Sequence, residues 1–510
     1  MKAVVALLKT ITRVGNYPFS IIHFQLQLMS QETTPTENSA LSRRSFLQTG
    51  AVAAASFMIV PRHVLGKGFV APSDKLNIAA VGCGGKADVN ISLAFNNGSD
   101  NIVALCDVDD RMAVKFRAKF PNAPYYKDYR KMFDKEAKNF DAVIVSTPDH
   151  MHYPVGMAAM QLGKHVYIEK PLTHDIWEAR KMTEMARSSK VVTQMGNQGS
   201  SGKGTRLTEA IVQSGMIGDV HTVEVWTDRP VWPQGVKSPR DKNEKQPIPA
   251  EVDWDLWLGT APYRDYHEAY MPFRWRGYWD FGTGALGDMG CHFMDVPFRA
   301  LKLGYPTSVE CSASSVYGDY FQESFFEDIG PQATSVHLKF PSANPKVKEI
   351  SLSWYDGGNK PKLPEGCDYE GVFSDNDGGV LFIGTKGMVS AEIFGSNPRM
   401  WPTAKFKDVK LPEPTRPLVE GDIQGHQQQW VKACKTGFGT YTSSSLDEAG
   451  RLAEIVLMGN LAVRSYLYRE GGKGQFLGRK KLLWDGANMK ITNFEAANQY
   501  VKREYRAGWS

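Results

Sequence analysis

Long apolar runs are scarce in this chain, and so are clustered cysteines, repeats and blocks of one charge. The apolar stretch near the N-terminus, Ala51 to Val60, falls far short of the roughly 20 residues that cross a bilayer, which excludes stable membrane insertion through that segment. Six scattered cysteines exclude a disulfide framework; Cys83 and Cys106 read instead as small buried thiols. A net charge of +5 with both signs interspersed leaves no basic face for nucleic acid. No internal repeat or low-complexity block sets up a solenoid or a tail. What remains is a 510-residue chain, 42% hydrophobic, long enough to bury two domains' worth of core.

One short run organises the first of these. Asn77 to Val81 is apolar and bounded by polar residues, as a buried strand is. Gly82-Cys83-Gly84-Gly85-Lys86-Ala87 follows, then a helical spacing to Asn96, then a second apolar run, Asn101 to Leu105, that leads to Asp107. Strand, Gly-x-Gly-x-x-Ala turn, helix, strand and acid is the dinucleotide-binding fingerprint. Gly82 permits the tight turn, Gly84 lets backbone approach a pyrophosphate, Ala87 keeps helix close to strand, and the helix N-terminus faces the phosphate charge. Asp107 is placed to accept from the adenosine ribose hydroxyls and to repel a 2′-phosphate, so NAD is expected over NADP. The rhythm continues through a helix capped by Asp109, strands at Ala142 to Val145, His165 to Ile168 and Val191 to Gln194, and helices between them. This predicts an α/β fold with a doubly wound parallel sheet, whose ligand lies at the carboxyl ends of the strands.

Those ends carry Ser146-Thr147-Pro148-Asp149-His150-Met151-His152 and Glu169-Lys170-Pro171. With Gly163-Lys164-His165-Val166 between them, the chain resembles the glucose–fructose oxidoreductase/inositol dehydrogenase (Gfo/Idh/MocA) family over about residues 75–305, in its secreted form from Bacteroidetes-type bacteria. The family pattern is Thr-Pro-Asn-x-x-His, so Asp149 replaces an Asn here. The resemblance implies cofactor contacts at Thr147, Pro148, Asp149, His152, Glu169 and Asn197, beside those of Gly82, Cys83, Gly84, Gly85 and Asp107. Lys170 can be argued without it: an ammonium on a strand end beside a nicotinamide favours the alkoxide-like charge of a hydroxyl being oxidised and can take part in proton transfer. The plainer alternative is a surface Glu-Lys ion pair at a loop. Gln194 to Gln198 could bind the nicotinamide ribose or serve as a hinge; both can hold.

A second constellation runs from Gly282 to Asp295. A helix from about Gly287 places Asp288, His292 and Asp295 on one face, with His292 as proton acceptor and Asp288 positioning substrate or imidazole. The family carries a catalytic Asp and His on a matching helix. Asp-x-x-x-His is also a metal-pair spacing and a capping acid with a core histidine, but no third ligand suggests itself and no metal is expected. His150 and His152 form a His-x-His that suggests metal less than flanks to the cofactor. For the substrate, the aromatic and charged cluster Arg274 to Asp280 points to a carbohydrate site in which Arg274 and Trp279 are the foremost candidates, with Asp288 and His292. Aromatics such as Trp254 and Trp257 read as core.

Beyond about Gly218, β-rich runs at Val220 to Trp226, Ser308 to Tyr317, Thr334 to Phe340, Glu349 to Trp354 and Val380 to Phe394, with a long helix Leu446 to Tyr468, predict an α+β domain on a large, mostly antiparallel sheet. The expected organisation is 75–196 for the NAD-binding domain and 197–510 for a substrate and homo-oligomerisation domain. Ser42-Arg43-Arg44-Ser45-Phe46-Leu47 before Ala51 to Val60 reads as a twin-arginine signal within a signal and linker at 29–66. It directs the protein to the periplasm, with Met29 as the expected start and 1–28 as a start-site artefact. Folded export without an external NAD pool implies a cofactor retained and recycled. The expected activity is hydride transfer from a sugar, glycoside or cyclitol hydroxyl. A redox-neutral NAD-dependent glycosidase or lyase is the alternative, and a ligand sensor on an inactive oxidoreductase fold a third.

Overall fold

The computed structural model describes residues 74–509 other than Phe325, Asn376 and Lys473. The signal, the linker and the expected start at Met29 lie outside the described residues. The first sheet is built from β1 (Asn77–Val81), β2 (Asn101–Cys106), β3 (Tyr125–Tyr126), β4 (Ala142–Val145), β5 (His165–Ile168) and β6 (Thr193–Met195). All pairings are parallel, in the order β3-β2-β1-β4-β5-β6. Successive strand residues face opposite sides. Ala79, Val81, Val143 and Val145 enter one core, and Ile78, Ala80, Ala142 and Ile144 the other. With both faces covered, each strand reads as an unbroken apolar run. β6 starts two residues later than expected because the Val192 amide is taken by His165 Nδ1 at 3.0 Å.

The helices between are α1 (Ala87–Phe95), α2 (Asp110–Lys119), α3 (Tyr129–Glu136), α4 (His152–Gln161) and α5 (Ile176–Ser189). Asp109, Asp128 and Asp175 cap α2, α3 and α5 by accepting backbone N–H groups, each cap contributing about 1 kcal/mol.

The chain then passes through α6 (Lys203–Gln213), β7 (Val220–Thr227) and the short α7 (Trp254–Leu258) to α8 (Gly284–Phe293) and α9 (Asp295–Ala300). β8 (Ser308–Ala313), the hairpin β9 (Val316–Asp319) and β10 (Gln322–Ser324), β11 (Thr334–Pro341), β12 (Glu349–Tyr355), β13 (Gly378–Gly384), β14 (Met388–Ala391) and β15 (Arg399–Trp401) follow. After α10 (His426–Thr436) and α11 (Leu446–Tyr466) come β16 (Leu482–Asp485) and β17 (Lys490–Ile491). The second sheet has nine strands in the order β15-β14-β13-β7-β12-β11-β8-β16-β17, antiparallel except for β7 with β12. The run 308–317 divides at Ser314, whose Oγ takes the Ala333 amide at 3.0 Å in place of a ladder carbonyl. The run 380–394 folds back on itself at Gly387.

Helix α11 joins the two halves, with eleven of its apolar residues in the core that also holds β4, β5, β7 and β11. It presses on α8 where glycines remove side chains. A Cβ on Gly459 would stand 2.1 Å from Leu286 Cδ2, and one on Gly290 3.0 Å from Val456 Cγ1. This contact fixes α8 against the strand ends of the first sheet. Helix α10 packs on α1, placing Trp430 and Val431 in the outer core of the nucleotide sheet.

Candidate functional site

A cavity of about 620 Å³ opens over the carboxyl ends of β1, β2, β4 and β5, where the switch in strand order falls. Its floor is the glycine turn. Gly82 holds φ +87°, and a Cβ there would lie 2.5 Å from Ser146 O, so glycine is required. Among the described residues the Gly84, Gly85 and Lys86 amides make no backbone bond, whereas Ala87 and Asp88 already donate to Gly84 O and Gly85 O. Three free N–H groups at the start of a nine-residue helix suit a pyrophosphate. Cys83 differs from expectation. Its amide donates to Asp107 Oδ2 at 2.8 Å and its thiol is buried toward Cys106 O, so it orients Asp107 and offers nothing to a ligand.

Asp107 lines the cavity and also accepts the Asp109 amide at 2.9 Å. Burial raises its carboxyl to about 6, against the opposing amides of Asp109 and Cys83. On the facing wall Thr147 Oγ1 is buried without a partner among the described residues, an unsatisfied hydroxyl that a cofactor group would satisfy. Pro148 and Asp149 line the same wall. Asp149 Oδ2 accepts from Thr283 Oγ1 at 2.6 Å, which ties this turn to the start of α8. Burial raises the Asp149 carboxyl, with His152 the main opposing charge. Glu169 accepts from Asn90 Nδ2 at 2.8 Å, locking its carboxylate toward α1. Free amides, an unsatisfied hydroxyl and a buried ribose-facing acid together fit NAD.

The histidines of the Thr-Pro-Asp segment behave differently from expectation. His152 places Nδ1 2.8 Å from Pro171 O and Nε2 2.8 Å from Thr147 O, pinning two strand-end loops together behind the cavity wall. His150 lies between Trp257 O at 3.0 Å and Phe281 O at 3.3 Å; burial depresses it to about 3, so its neutral ring donates to one of them. Each ring faces backbone carbonyls, and neither lines the cavity. Among the described residues no group of three or more His, Cys, Asp or Glu is placed to hold a metal.

Lys170 lines the cavity, and its Nζ donates to Asp288 Oδ1 at 2.7 Å and to Asp288 O at 2.6 Å; Asp288 and His292 themselves are not among the residues that line it. Arg276 Nε approaches the same carboxylate oxygen at 3.3 Å. Burial would raise Asp288, but Lys170 and then Arg276 outweigh it and hold the carboxyl at about 2. One helical turn further along α8, His292 is buried, and burial and then the Lys170 charge push it well below 6.5. Its Nδ1 meets Asn197 Oδ1 at 2.8 Å. Because that oxygen accepts, Nδ1 carries the proton, and the Nε2 lone pair takes no hydrogen bond among the described residues. Asn197 Nδ2 donates to Ser200 Oγ at 3.2 Å, and Ser200 Oγ to Asp295 Oδ2 at 2.6 Å. Asn197 thus stands behind His292, away from the cavity wall where the family pattern placed it.

Asp295 also leaves its expected role. α8 ends at Phe293, and the break at Met294 turns Asp295 onto Arg299 Nε at 2.8 Å; it anchors the imidazole's support chain. Arg274 is exposed and Arg276 lines the cavity. The 3₁₀ turn Arg274–Gly277 rotates about 120° per residue, so two residues on, the side chain has swung to the cavity side. There the Arg276 guanidinium stacks on Phe273 at 4.2 Å and Trp275 at 4.3 Å. Trp279 is buried and faces a different cavity, beside Arg464.

Trp509, with no local signal to mark it, also lines the cavity. The last segment is laid across the nucleotide side. Val501 O accepts from Trp177 N, and Arg503 donates to Glu178 and to His150 O at 2.9 and 2.7 Å. Arg506 pairs with Asp255, and Arg130 stacks on Trp509 at 4.2 Å.

Comparison with known proteins agrees with this geometry. Residues 76–197 match the family described as "Oxidoreductase family, NAD-binding Rossmann fold", and residues 202–319 the companion "Oxidoreductase family, C-terminal alpha/beta domain". An uncharacterized oxidoreductase of Schizosaccharomyces pombe is 32% identical over 330 residues, 61% of this chain and 75% of that protein. The D-glucoside 3-dehydrogenase of Escherichia coli is 29% identical over 150 residues, 29% of this chain and 42% of that one. The chain spans only 52%, 31% and 26% of three other curated oxidoreductases that it matches. Among solved structures, the WlbA dehydrogenase from Bordetella pertussis, in complex with NADH and UDP-GlcNAcA, superposes with a TM-score of 0.51. It is 16% identical and covers 76% of this chain and 97% of that one, a likeness of fold.

Proposed function

Because the chain belongs to the Gfo/Idh/MocA oxidoreductase family, with an NAD-binding Rossmann domain, we propose that it oxidises a hydroxyl of a sugar, glycoside or cyclitol by hydride transfer, after twin-arginine export to the periplasm and with its cofactor retained. The observation that carries the reading is the pairing of Lys170, on the wall of the nucleotide cavity, with Asp288, one helical turn from His292, whose Nδ1 is held by Asn197. Bound NAD supplies the hydride acceptor. Lys170 and Arg276 present positive charge where the hydroxyl oxygen gains negative character. His292 Nε2 takes the hydroxyl proton, and Asn197 keeps the ring in the tautomer that can do so. Asp288 holds Lys170 in place. The carbon loses a hydride, the oxygen loses a proton, and a carbonyl remains.

Retention is supported by the last segment of the chain, whose Trp509 closes one side of the cavity. The decisive experiment is to denature purified protein, identify the released cofactor, and screen sugars and glycosides for a change in bound-nicotinamide absorbance. NAD with a lasting, substrate-dependent change is expected. Absence of NAD sinks the reading, and aglycone release with no net change would point to the redox-neutral glycosidase instead.

A further inference from the structure

A second cavity, of about 270 Å³, lies where α11 ends and the chain's last segment crosses it. Trp279, Arg464, Tyr468, Gln499, Tyr500 and Glu327 line it. Arg464 is the unusual member. Its guanidinium sits 4.4 Å from the Tyr500 ring centroid and 5.7 Å from that of Trp279. Among the described residues it forms no ion pair and donates no hydrogen bond. The other well-sheltered arginines are all spent: Arg264 on Asp328, Arg299 on Asp295, Arg503 on Glu178, and Arg206 on carbonyls. Nor does Arg464 cap its own helix, since no carbonyl of the last turn of α11 receives its N–H groups.

A half-buried guanidinium between two aromatic faces, unpaired among the described residues, has its donors free to take an acceptor that enters the cavity. The cavity is the size of one monosaccharide-scale molecule, below the range typical of larger ligands. Tyr468, Gln499 and Glu327 supply hydroxyl, amide and carboxylate groups around the rim, which suit hydroxyls. The rings of Trp279 and Tyr500 suit a C–H-rich body. We propose that this is a second binding site, separate from the reaction cavity, for a small hydroxylated carboxylate of the sugar-acid class. The carboxylate is taken by Arg464 and the carbon skeleton lies against Trp279 and Tyr500. Trp279 Cη2 lies 3.9 Å from where a Cβ on Gly284 would stand, so an occupant would rest on a ring that itself packs beside the start of α8.

The test is calorimetric titration of the NAD-bound protein with D-glucuronate and, separately, D-glucose. One saturable D-glucuronate site is expected, with D-glucose about tenfold or more weaker, as loss of one charge-assisted hydrogen-bonding partner implies. Arg464→Gln should weaken D-glucuronate by at least about tenfold with NAD content unchanged. Tyr468→Phe, which removes one hydroxyl, should weaken it in the same direction and stands as the probe if Arg464→Gln does not fold. Equal binding of both sugars, full binding in both variants, or loss of binding in Arg276→Ala, which would move the ligand to the reaction cavity, would each overturn the proposal. The first two outcomes leave the hydride-transfer reading untouched, whereas loss in Arg276→Ala would place D-glucuronate in the reaction cavity and so support that reading while ending this one.

Discussion

Replacing Lys170 with Met separates the two roles of its ammonium. The side chain keeps its length and apolar stem while both donors to Asp288, at 2.7 and 2.6 Å, disappear. Breaking a buried pair costs about 3–5 kcal/mol when the partner is left wholly alone. Here Arg276 Nε still stands 3.3 Å from the carboxylate and both partners are 14% exposed, so about 2 kcal/mol of lost stability is expected. Turnover should fall by about 10²-fold or more, close to 3 kcal/mol of barrier, because the developing oxygen charge loses its nearest cation. Thr147, Glu169 and Asp107, the proposed holders of NAD, are untouched, so cofactor content should hold. Adding Asp288→Asn removes the stranded charge. The double variant should recover the melting temperature and leave turnover low. The assay is stopped-flow nicotinamide absorbance beside a thermal melt. Near-normal turnover in Lys170→Met with NAD bound would refute the reasoning, and so would turnover that returns along with stability in the double variant.

Three further outcomes test neighbouring parts of the site. Because burial and the Lys170 charge hold His292 well below 6.5, turnover should show no acid limb near 6.5. Asn197→Asp sets a carboxylate on Nδ1, favours the imidazolium, and should bring that limb up into the measured range; an unchanged pH–rate profile would deny Asn197 its positioning role. Asp107 titrates at about 6 in the NAD-free protein, so NAD affinity should weaken as pH falls through about 6, and Asp107→Asn should flatten that dependence in equilibrium titrations. The sign for stability is opposite. The folded form binds this proton before the unfolded chain does, so the NAD-free protein gains stability as pH falls through 6, which urea melts at several pH values would reveal. Trp509→Ala removes a cavity wall and its stack on Arg130, and should speed NAD loss on dialysis by about tenfold; an unchanged rate would leave the last segment no part in retention.

The nucleotide half was legible because its physics is local. Two-sided burial writes β1, β4 and β5 as unbroken apolar runs, and the crossing at Gly82 tolerates no side chain, so the pattern appears in consecutive residues. The glycine turn, Asp107 and the Lys170 strand end follow directly. The second sheet was legible as strands but not as an order, since its nine-strand arrangement depends on pairings such as β7 with β12 that join distant segments. The errors at the site have one physical source. Which way a side chain faces inside an irregular turn is not encoded by spacing: Arg274 and Arg276 look alike in sequence, and the 3₁₀ turn decides between them. The same holds for Asp295, which shares a face with His292 on an unbroken helix but not once Met294 ends it. His152 and Asn197 have residue types suited to ligand contact, and only the carbonyls of Pro171 and Thr147 and the ring of His292 show that their polar groups are already committed.

The charges around α8 favour oxidation of a hydroxyl over chemistry that needs two proton carriers. Lys170 and Arg276 share the Asp288 carboxylate, and the carboxyls of Glu169 and Asp149 line the same cavity. In the proposed reaction the two cations offset the charge of a developing alkoxide, and its proton goes to one receiver, His292 Nε2. Elimination of a glycosidic bond would also demand an acid for the leaving oxygen and a base for the adjacent C–H. Asp149, the nearest further carboxyl on the cavity wall with a raised pKa, already accepts from Thr283. Thr283→Val frees that carboxyl without altering Lys170, Asp288 or His292. If net oxidation is the reaction, the variant should keep its turnover within a few-fold while losing part of its stability, about 1 kcal/mol for one buried hydrogen bond. A gain of aglycone release in Thr283→Val would mean that Asp149 was the missing acid, and that only its hydrogen bond kept the site to hydride transfer.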